Sequence, residues 1–526
     1  MTNDAKSIEQ QSSAKRHIIS LQFFLALLGS CMAISVLVWI STSTYGVSLS
    51  PDSVGYVGVA RNLVANRGLI SYEGGAPFVV QPPLYPMILA GIAALTGMDP
   101  LLAARLVQTA TAAALLLATG IVARTNLRSF PVLVYLTLLA TIVAAPLVEI
   151  EIAALSEALF SVWLLLAVLC LDRYLAGATL RWLIGAALMV ALASITRYIG
   201  VALILGGILV ILSQPVRQFS IRLSFAAIFA AIAGTPLVLW LMRNYSIGGT
   251  VAGTRVPSAF TLTDNLGFLA DTVGLWILPR EAPSVMIVVF ATAFSLVLGW
   301  LGARHLSKYH VSTLTPSSLL LITSSYLLFL VIASTIMAYD RVGSRLLAPI
   351  YIPLLLLLMR SVAWGMTKMQ TDPYGQFAVT GIMTGICIWL SIAAVALWDS
   401  TQSRIANGAG GYNRTSWQQD DVIDYLRNLR EPLVCPIYSN APDALYILAN
   451  ISAEMSPAHK INNSTQVTAE LADLRNVWPP EKSTCIVWLN RQERSYLFPL
   501  ESLLSTVQID REVILEDGSL HIVRRR

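Results

Sequence analysis

Charge is scarce in this chain: Asp, Glu, Lys and Arg make up only 12% of its 526 residues. A soluble protein of this length covers itself with ionised side chains. The shortage therefore excludes a wholly soluble fold and points to a chain whose 56% hydrophobic residues use lipid as solvent. Cysteine and histidine are equally sparse, five of each. No CxxC, HExxH or other metal-ligand spacing occurs, and the glycines form no phosphate-binding fingerprint. The formal charge of +5 belongs largely to basic residues flanking apolar runs, so it does not argue for nucleic acid as a partner.

What the chain does have is apolar length. Runs able to cross a bilayer, about 20 residues each or shorter where tilted or broken, fall at 18–42, 101–124, 131–148, 154–174, 180–196, 199–213, 222–242, 283–302, 317–338, 347–362 and 376–397. They predict an α-helical polytopic membrane protein with about eleven transmembrane helices. Basic residues follow every second connection: Lys15 and Arg16, Arg124 and Arg128, Arg173 and Arg181, Arg217 and Arg222, Arg304 and Lys308, Arg360 and Lys368. The positive-inside rule then makes the N-terminal tail, 1–17, cytoplasmic and the C-terminus extracytoplasmic. Opposite loops collect carboxylates, among them Asp52, Glu149, Glu151 and Asp340. The first span is long and lacks a small-residue cleavage site after it, so it reads as a retained anchor.

The transmembrane module, 18–397, gives way to a mixed composition near residue 398. Residues 398–411 read as a linker and 412–526 as a small α/β domain. Its helix patterns lie at 416–429, 441–451, 465–477 and 495–508, and its strand patterns at 433–439, 484–489, 511–516 and 519–524. Asp517-Gly518 has the chemistry of a two-residue hairpin turn. Cys31, Cys170 and Cys387 fall in spans and read as small apolar packing residues. Only Cys435 and Cys485, on two predicted strands, are placed for a disulfide. Neighbouring strands seldom have the geometry, so the sequence leaves open whether the two are bonded.

The first outer loop, 43–100, is too long for a plain connector and too patterned for disorder. Ser50 can cap a helix, Pro51 suits its first position, and Asp52 then lies in the first turn, where the helix dipole favours its charged form. Val57, Ala60, Leu63 and Val64 give this helix one apolar face, the pattern of an interfacial element. A second short apolar helix follows Pro82-Pro83-Leu84-Tyr85-Pro86 and ends near Gly97.

Asp52, Tyr56, Ala60 and Leu63, the segment 82–86, and Ala104-Arg105 opening the second span resemble the first outer loop of GT-C glycosyltransferases. The group concerned includes the protein O-mannosyltransferases and lipid A aminoarabinose transferases, glycosyltransferase family 39-like. The resemblance continues through Ser156-Glu157-Ala158-Leu159-Phe160, Thr196-Arg197-Tyr198, Arg243-Asn244 and Tyr438-Ser439-Asn440. It implies a GT-C fold, a prokaryotic cytoplasmic membrane, and inverting transfer of a sugar from a polyprenyl-phosphate donor to an outer glycan, lipid or protein acceptor. The loop-one Asp is the catalytic carboxylate in that reading. The chain departs from the pattern in two places: Ser53 stands where relatives often carry Glu, and Val79, Val80 and Gln81 stand where the aminoarabinose enzymes carry an acid.

Chemistry agrees with this reading. A sugar on a lipid phosphate has an activated leaving group, so the enzyme must supply a base for the acceptor hydroxyl and cations for the departing phosphate. Asp52 is the candidate base, or the group that orients the acceptor hydroxyl, with helix capping as the plain alternative. Arginines bind phosphate bidentately, which makes Arg197, Arg341, Arg345, Arg243 and Arg105 the candidate donor-phosphate ligands, against interfacial ion pairing. Glu157 is a candidate second acid or metal contact, against a structural salt bridge. Tyr56, Pro82, Pro83 and Tyr85 are expected to shape the loop or touch substrate. A divalent metal is compatible with these acids, with no ligands assigned. Competing readings are a lipid-linked glycan ligase or polymerase, a transporter or flippase of lipid-linked sugars, and a glycan-binding scaffold. Charges gathered at the outer face rather than mid-membrane favour an enzyme.

Overall fold

The computed structural model describes residues 2–525 apart from 73, 178, 215–216, 277–316, 370–374 and 432. The expected span at 283–302, with Arg304 and Lys308, lies outside the described residues. The others are helical: α1 (Thr2–Ser41), α4 (Pro100–Asn126), α5 (Pro131–Ile142), α6 (Ala145–Glu151), α7 (Glu157–Gly177), α8 (Leu180–Thr196), α9 (Val201–Leu212), α10 (Phe219–Gly248), α12 (Ser318–Ile336), α13 (Ser344–Met369) and α14 (Gly375–Asn407). Between them lie the loop-one helices α2 (Pro51–Val64) and α3 (Leu84–Thr96), and α11 (Leu262–Leu275). Among the described residues, seven helices are long and apolar enough to cross a membrane.

Local chemistry explains the departures from unbroken spans. The run at 131–148 is broken: Pro146, in the first turn of α6, cannot continue α5, and the two helices meet at 55°. The runs at 180–196 and 199–213 are two short helices because Arg197 is extended, with φ −148° and ψ 137°, which interrupts the ladder at the site. Around α4, α7 and α8 a continuous apolar core forms from residues such as Leu115, Leu164, Val168 and Val190. α9 and α10 approach closely at Gly207, where any Cβ would collide with the Phe229 ring.

Loop one does not simply lie on the bundle. Val54, Val57 and Ala60 of α2 share one buried cluster with Tyr85 and Leu89 of α3 and with Ile423, Ala444 and Leu445 of the C-terminal domain. Val54, Val57, Val59 and Ala60 of α2 are thus fully covered by protein, while Val64 at its end stays exposed. Just before it, residues 47–49 run between two other segments. Ser48 N–H donates to Ile152 O at 2.8 Å and its carbonyl accepts from Ala154 N–H at 3.0 Å, while Leu49 exchanges bonds with Gly410 O (3.3 Å) and Tyr412 N–H (3.0 Å). Asn413 Nδ2 donates to Val47 O at 2.8 Å.

The expected linker 398–411 divides accordingly. α14 continues to Asn407, and only 408–411 connects, as a strap whose glycines adopt φ of +85°, +135° and +57° at Gly408, Gly410 and Gly411. The domain beyond carries a five-stranded sheet in the order β2 (Glu454–Met455), β1 (Ile437–Ser439), β3 (Thr484–Leu489), β5 (Gly518–Arg525), β4 (Val507–Leu515). The β4–β5 hairpin turns at 516–517, with Gly518 opposite Leu515, one residue earlier than Asp517-Gly518 suggested. The pattern at 495–508 yields only a short helix, Leu500–Leu504, because Val507 already belongs to β4. Cys435 and Cys485, whose bonding the sequence left open, form a disulfide. Cys435 precedes β1 and stands outside the ladder that pairs Ile437 with Cys485, so the usual strand-neighbour restriction does not apply.

Two outcomes follow from this architecture. Replacing both Cys435 and Cys485 by Ser should cost the domain about 2–5 kcal/mol, read as a lower thermal midpoint. Peptide mass mapping without reductant should recover the linked pair in the unaltered protein. Gly411→Ala should weaken the strap by roughly 2 kcal/mol or more, because αL backbone disfavours Ala and the new Cβ meets Leu49 O. Limited proteolysis should then cut between 407 and 414 faster than in the parent protein.

Candidate active site

The site begins with a helix cap. Ser50 Oγ accepts from Ser53 N–H at 3.4 Å and Ser53 Oγ accepts from Ser50 N–H at 3.1 Å, a reciprocal capping box. This gives buried Ser53 a local use. Pro51 takes the first helical position and Asp52 follows it in the first turn, with a side chain 36% exposed. Gln81 Nε2 donates to Asp52 Oδ1 at 2.9 Å, and Arg345 Nη2 pairs with Asp52 Oδ2. Gln81, one residue before the double proline, thus presents an amide donor to the carboxylate. The buried prolines 82 and 83 follow it directly, Pro83 capping α3.

Glu157, the first residue of α7, is fully buried. Its Oε1 accepts from Arg345 Nε at 2.5 Å and pairs with Arg197 Nη1 at 2.5 Å. The extended backbone at 197 lets its guanidinium turn back from the α8–α9 break toward α7. Arg345 comes from the first turn of α13, and Asp340 in the preceding loop lies 3.9 Å from its Nη1. Desolvation at this mouth, followed by the Asp52 charge, raises the Asp340 pKa. Arg197 also donates to Ser156 Oγ at 3.3 Å, and Ser156 shares a 3.1 Å hydrogen bond with Tyr56 OH. Burial and then the Asp52 carboxylate push the Tyr56 phenol up, so it stays neutral. Tyr56 packs edge-on against Tyr85 at 5.0 Å, and Tyr85 accepts from Gln108 Nε2 at 3.1 Å.

The structure thus joins Asp52, Glu157, Arg197, Arg345 and Tyr56 in one network, with Tyr85, Pro82 and Pro83 as its buried support. Three other candidates are engaged elsewhere. Arg341 stacks over Phe268 at 4.0 Å and lies 3.8 Å from Asp271, well exposed. Arg243 donates to Phe78 O at 2.7 Å and Leu69 O at 3.3 Å and covers Trp240, which makes it a brace for loop one. Arg105 donates to Thr42 Oγ1 at 3.0 Å and Trp39 O at 2.7 Å and lies over the Trp39 ring, tying α4 to the end of α1. Sequence reasoning did not assign Gln81, Ser156 or Asp340 to the site. The adjacency of Gln81 to the double proline was the only local signal for it. Among the described residues, no group of three or more His, Cys, Asp or Glu is placed to hold a metal ion.

The arrangement offers a carboxylate held at the rim of a loop-covered end of the bundle, beside two guanidiniums steadied by one buried acid. No protein-family profile and no curated sequence matches the chain. Solved structures do. ArnT from Cupriavidus metallidurans in the apo state superposes with a TM-score of 0.57 at 12% identity, over 96% of this chain and 98% of that one. The same protein bound to undecaprenyl phosphate gives 0.57 at 13%, over 94% and 97%. The archaeal oligosaccharyltransferase AglB from Archaeoglobus fulgidus, in complex with an inhibitory peptide and a dolichol-phosphate, gives 0.51 at 11%, over 89% and 69%. With correspondence to ArnT running almost end to end in both chains, the helical bundle, loop-one helices and small C-terminal domain together have the GT-C glycosyltransferase fold.

Proposed function

We propose that this protein is a membrane glycosyltransferase that moves a sugar from a polyprenyl-phosphate carrier to an acceptor hydroxyl, with inversion, on the extracytoplasmic side. The observation that carries the reading is the Asp52–Arg345–Glu157–Arg197 network at the loop-one end of the bundle. The fold likeness supports it, since one ArnT structure holds undecaprenyl phosphate and the AglB structure holds dolichol-phosphate. The Cys435–Cys485 bond supports an oxidising, external location for the C-terminal domain.

In the reaction, the acceptor oxygen bonds to the anomeric carbon while its proton passes to Asp52. The bond from that carbon to the phosphate oxygen breaks, and its electron pair leaves with the phosphate. Arg345 and Arg197 meet the growing negative charge, and their planar donors match phosphate oxygens. Both are pre-oriented by Glu157, so little reorganisation is needed when the anion forms. Gln81 fixes the rotation of the Asp52 carboxylate and leaves each oxygen a lone pair for the acceptor. Tyr56, through Ser156, holds α2 against the start of α7, which sets the spacing between base and cations.

Asp52→Asn should lower kcat by about 10²–10⁴-fold while the variant inserts, folds and still binds the lipid phosphate; turnover at the parental rate would refute the assignment. Arg345→Lys keeps the charge but loses the fork, and should lower kcat/KM roughly 10–100-fold with a raised donor KM. Steady-state kinetics with a short-chain donor separates the two effects.

A further inference from the structure

The end of the bundle opposite Asp52 carries a cavity of its own. α4 and α7 start at the catalytic end and finish here, while α1 begins here and ends there. Phe23 of α1, Ile121, Arg124 and Thr125 of α4, Arg128 just beyond it, and Arg173 of α7 line a half-open cavity of about 440 Å³. That volume lies within the roughly 300–1,000 Å³ of small-molecule sites.

Three guanidiniums face it, and among the described residues none of them is ion-paired. Their neighbours at this end are engaged. Arg360 donates to Ser317 Oγ at 2.8 Å, Arg222 donates to Leu212 O at 2.6 Å, and Asp172, beside Arg173, accepts from Ser318. Arg124 is instead stacked over Phe23 at 4.3 Å, and Arg173 lies over Trp182 at 5.9 Å, so ring contacts orient both without neutralising them. Retention of basic residues on one membrane side explains their presence but not their convergence on a cavity.

The cavity's edge favours a lipid over a soluble anion. On α1, Leu21, Phe24, Leu25 and Leu28, at spacings that share one helix face, are exposed close in sequence to the cavity-lining Phe23. We propose that this cavity binds the headgroup of an anionic phospholipid, its phosphate held by Arg124, Arg128 and Arg173 and its acyl chains laid on the exposed face of α1. Basic recesses between membrane helices are suited to such headgroups.

The test uses the full-length protein in neutral detergent, titrated with dioctanoyl phosphatidylglycerol and followed by native mass spectrometry. Saturable binding is expected, weakened at least tenfold in an Arg128→Gln/Arg173→Gln variant and weakened in the parent protein when salt is raised. Unchanged affinity in the variant, salt-independent binding, or equal binding of dioctanoyl phosphatidylcholine would each overturn the proposal. Displacement of the lipid by an equal concentration of inorganic phosphate would overturn the lipid as occupant. The salt series needs no variant, so the outcome stands even where the double substitution impairs folding.

Discussion

One buried carboxylate organises the loop-one end of the bundle. Glu157 has no access to solvent, and two arginines from distant parts of the chain share its Oε1. An isolated charge in such a place is strongly disfavoured, so Glu157 compels α8, α13 and the start of α7 to meet with Arg197 and Arg345 facing inward. Removing one member of a buried pair typically costs about 3–5 kcal/mol, because the partner is left uncompensated. The same geometry leaves Arg345 free to extend its other nitrogen to Asp52, which links the membrane bundle to loop one through a single guanidinium.

The C-terminal domain is part of this arrangement rather than an appendage. Residues 47–49 lie between 152–154 and 410–412, so the segment leading into the Asp52 helix is held on one side by the approach to Glu157 and on the other by the strap into the domain. The domain's Ile423, Ala444 and Leu445 then cover α2 from outside. Burial of these apolar side chains fixes the height of Asp52 over the bundle, a position that a flexible surface loop would not keep.

The two ends of the bundle use arginine differently. At the Asp52 end, guanidiniums are paired with and oriented by carboxylates. At the other end, Arg124 and Arg173 are held against aromatic rings rather than carboxylates. Positive charge at one end and mixed charge at the other also agrees with the distribution of basic residues along the chain.

Much of the fold was legible because its causes are local. Apolar length marks the helices of the bundle, and Ser50-Pro51-Asp52 marks a helix start, since caps and proline positions act within one turn. The same locality explains the misses. Cys435 was assigned to a strand that begins two residues later, and 408–411 looked like a loose linker because glycine composition cannot report which backbone it will meet.

By itself, then, the sequence determined a lipid-solvated helical protein with an acidic residue at the head of a helix in its first long loop, because hydrophobicity, periodicity and capping are properties of neighbouring residues. Tertiary structure alone decided which arginines reach that acid. Arg345 lies 293 residues from Asp52 and 188 from Glu157, whereas Arg105 and Arg243, equally plausible as outer-face cations, are drawn to backbone carbonyls and tryptophan rings. A guanidinium's partner is set by what packing brings within a few ångströms, and no spacing along the chain encodes that distance.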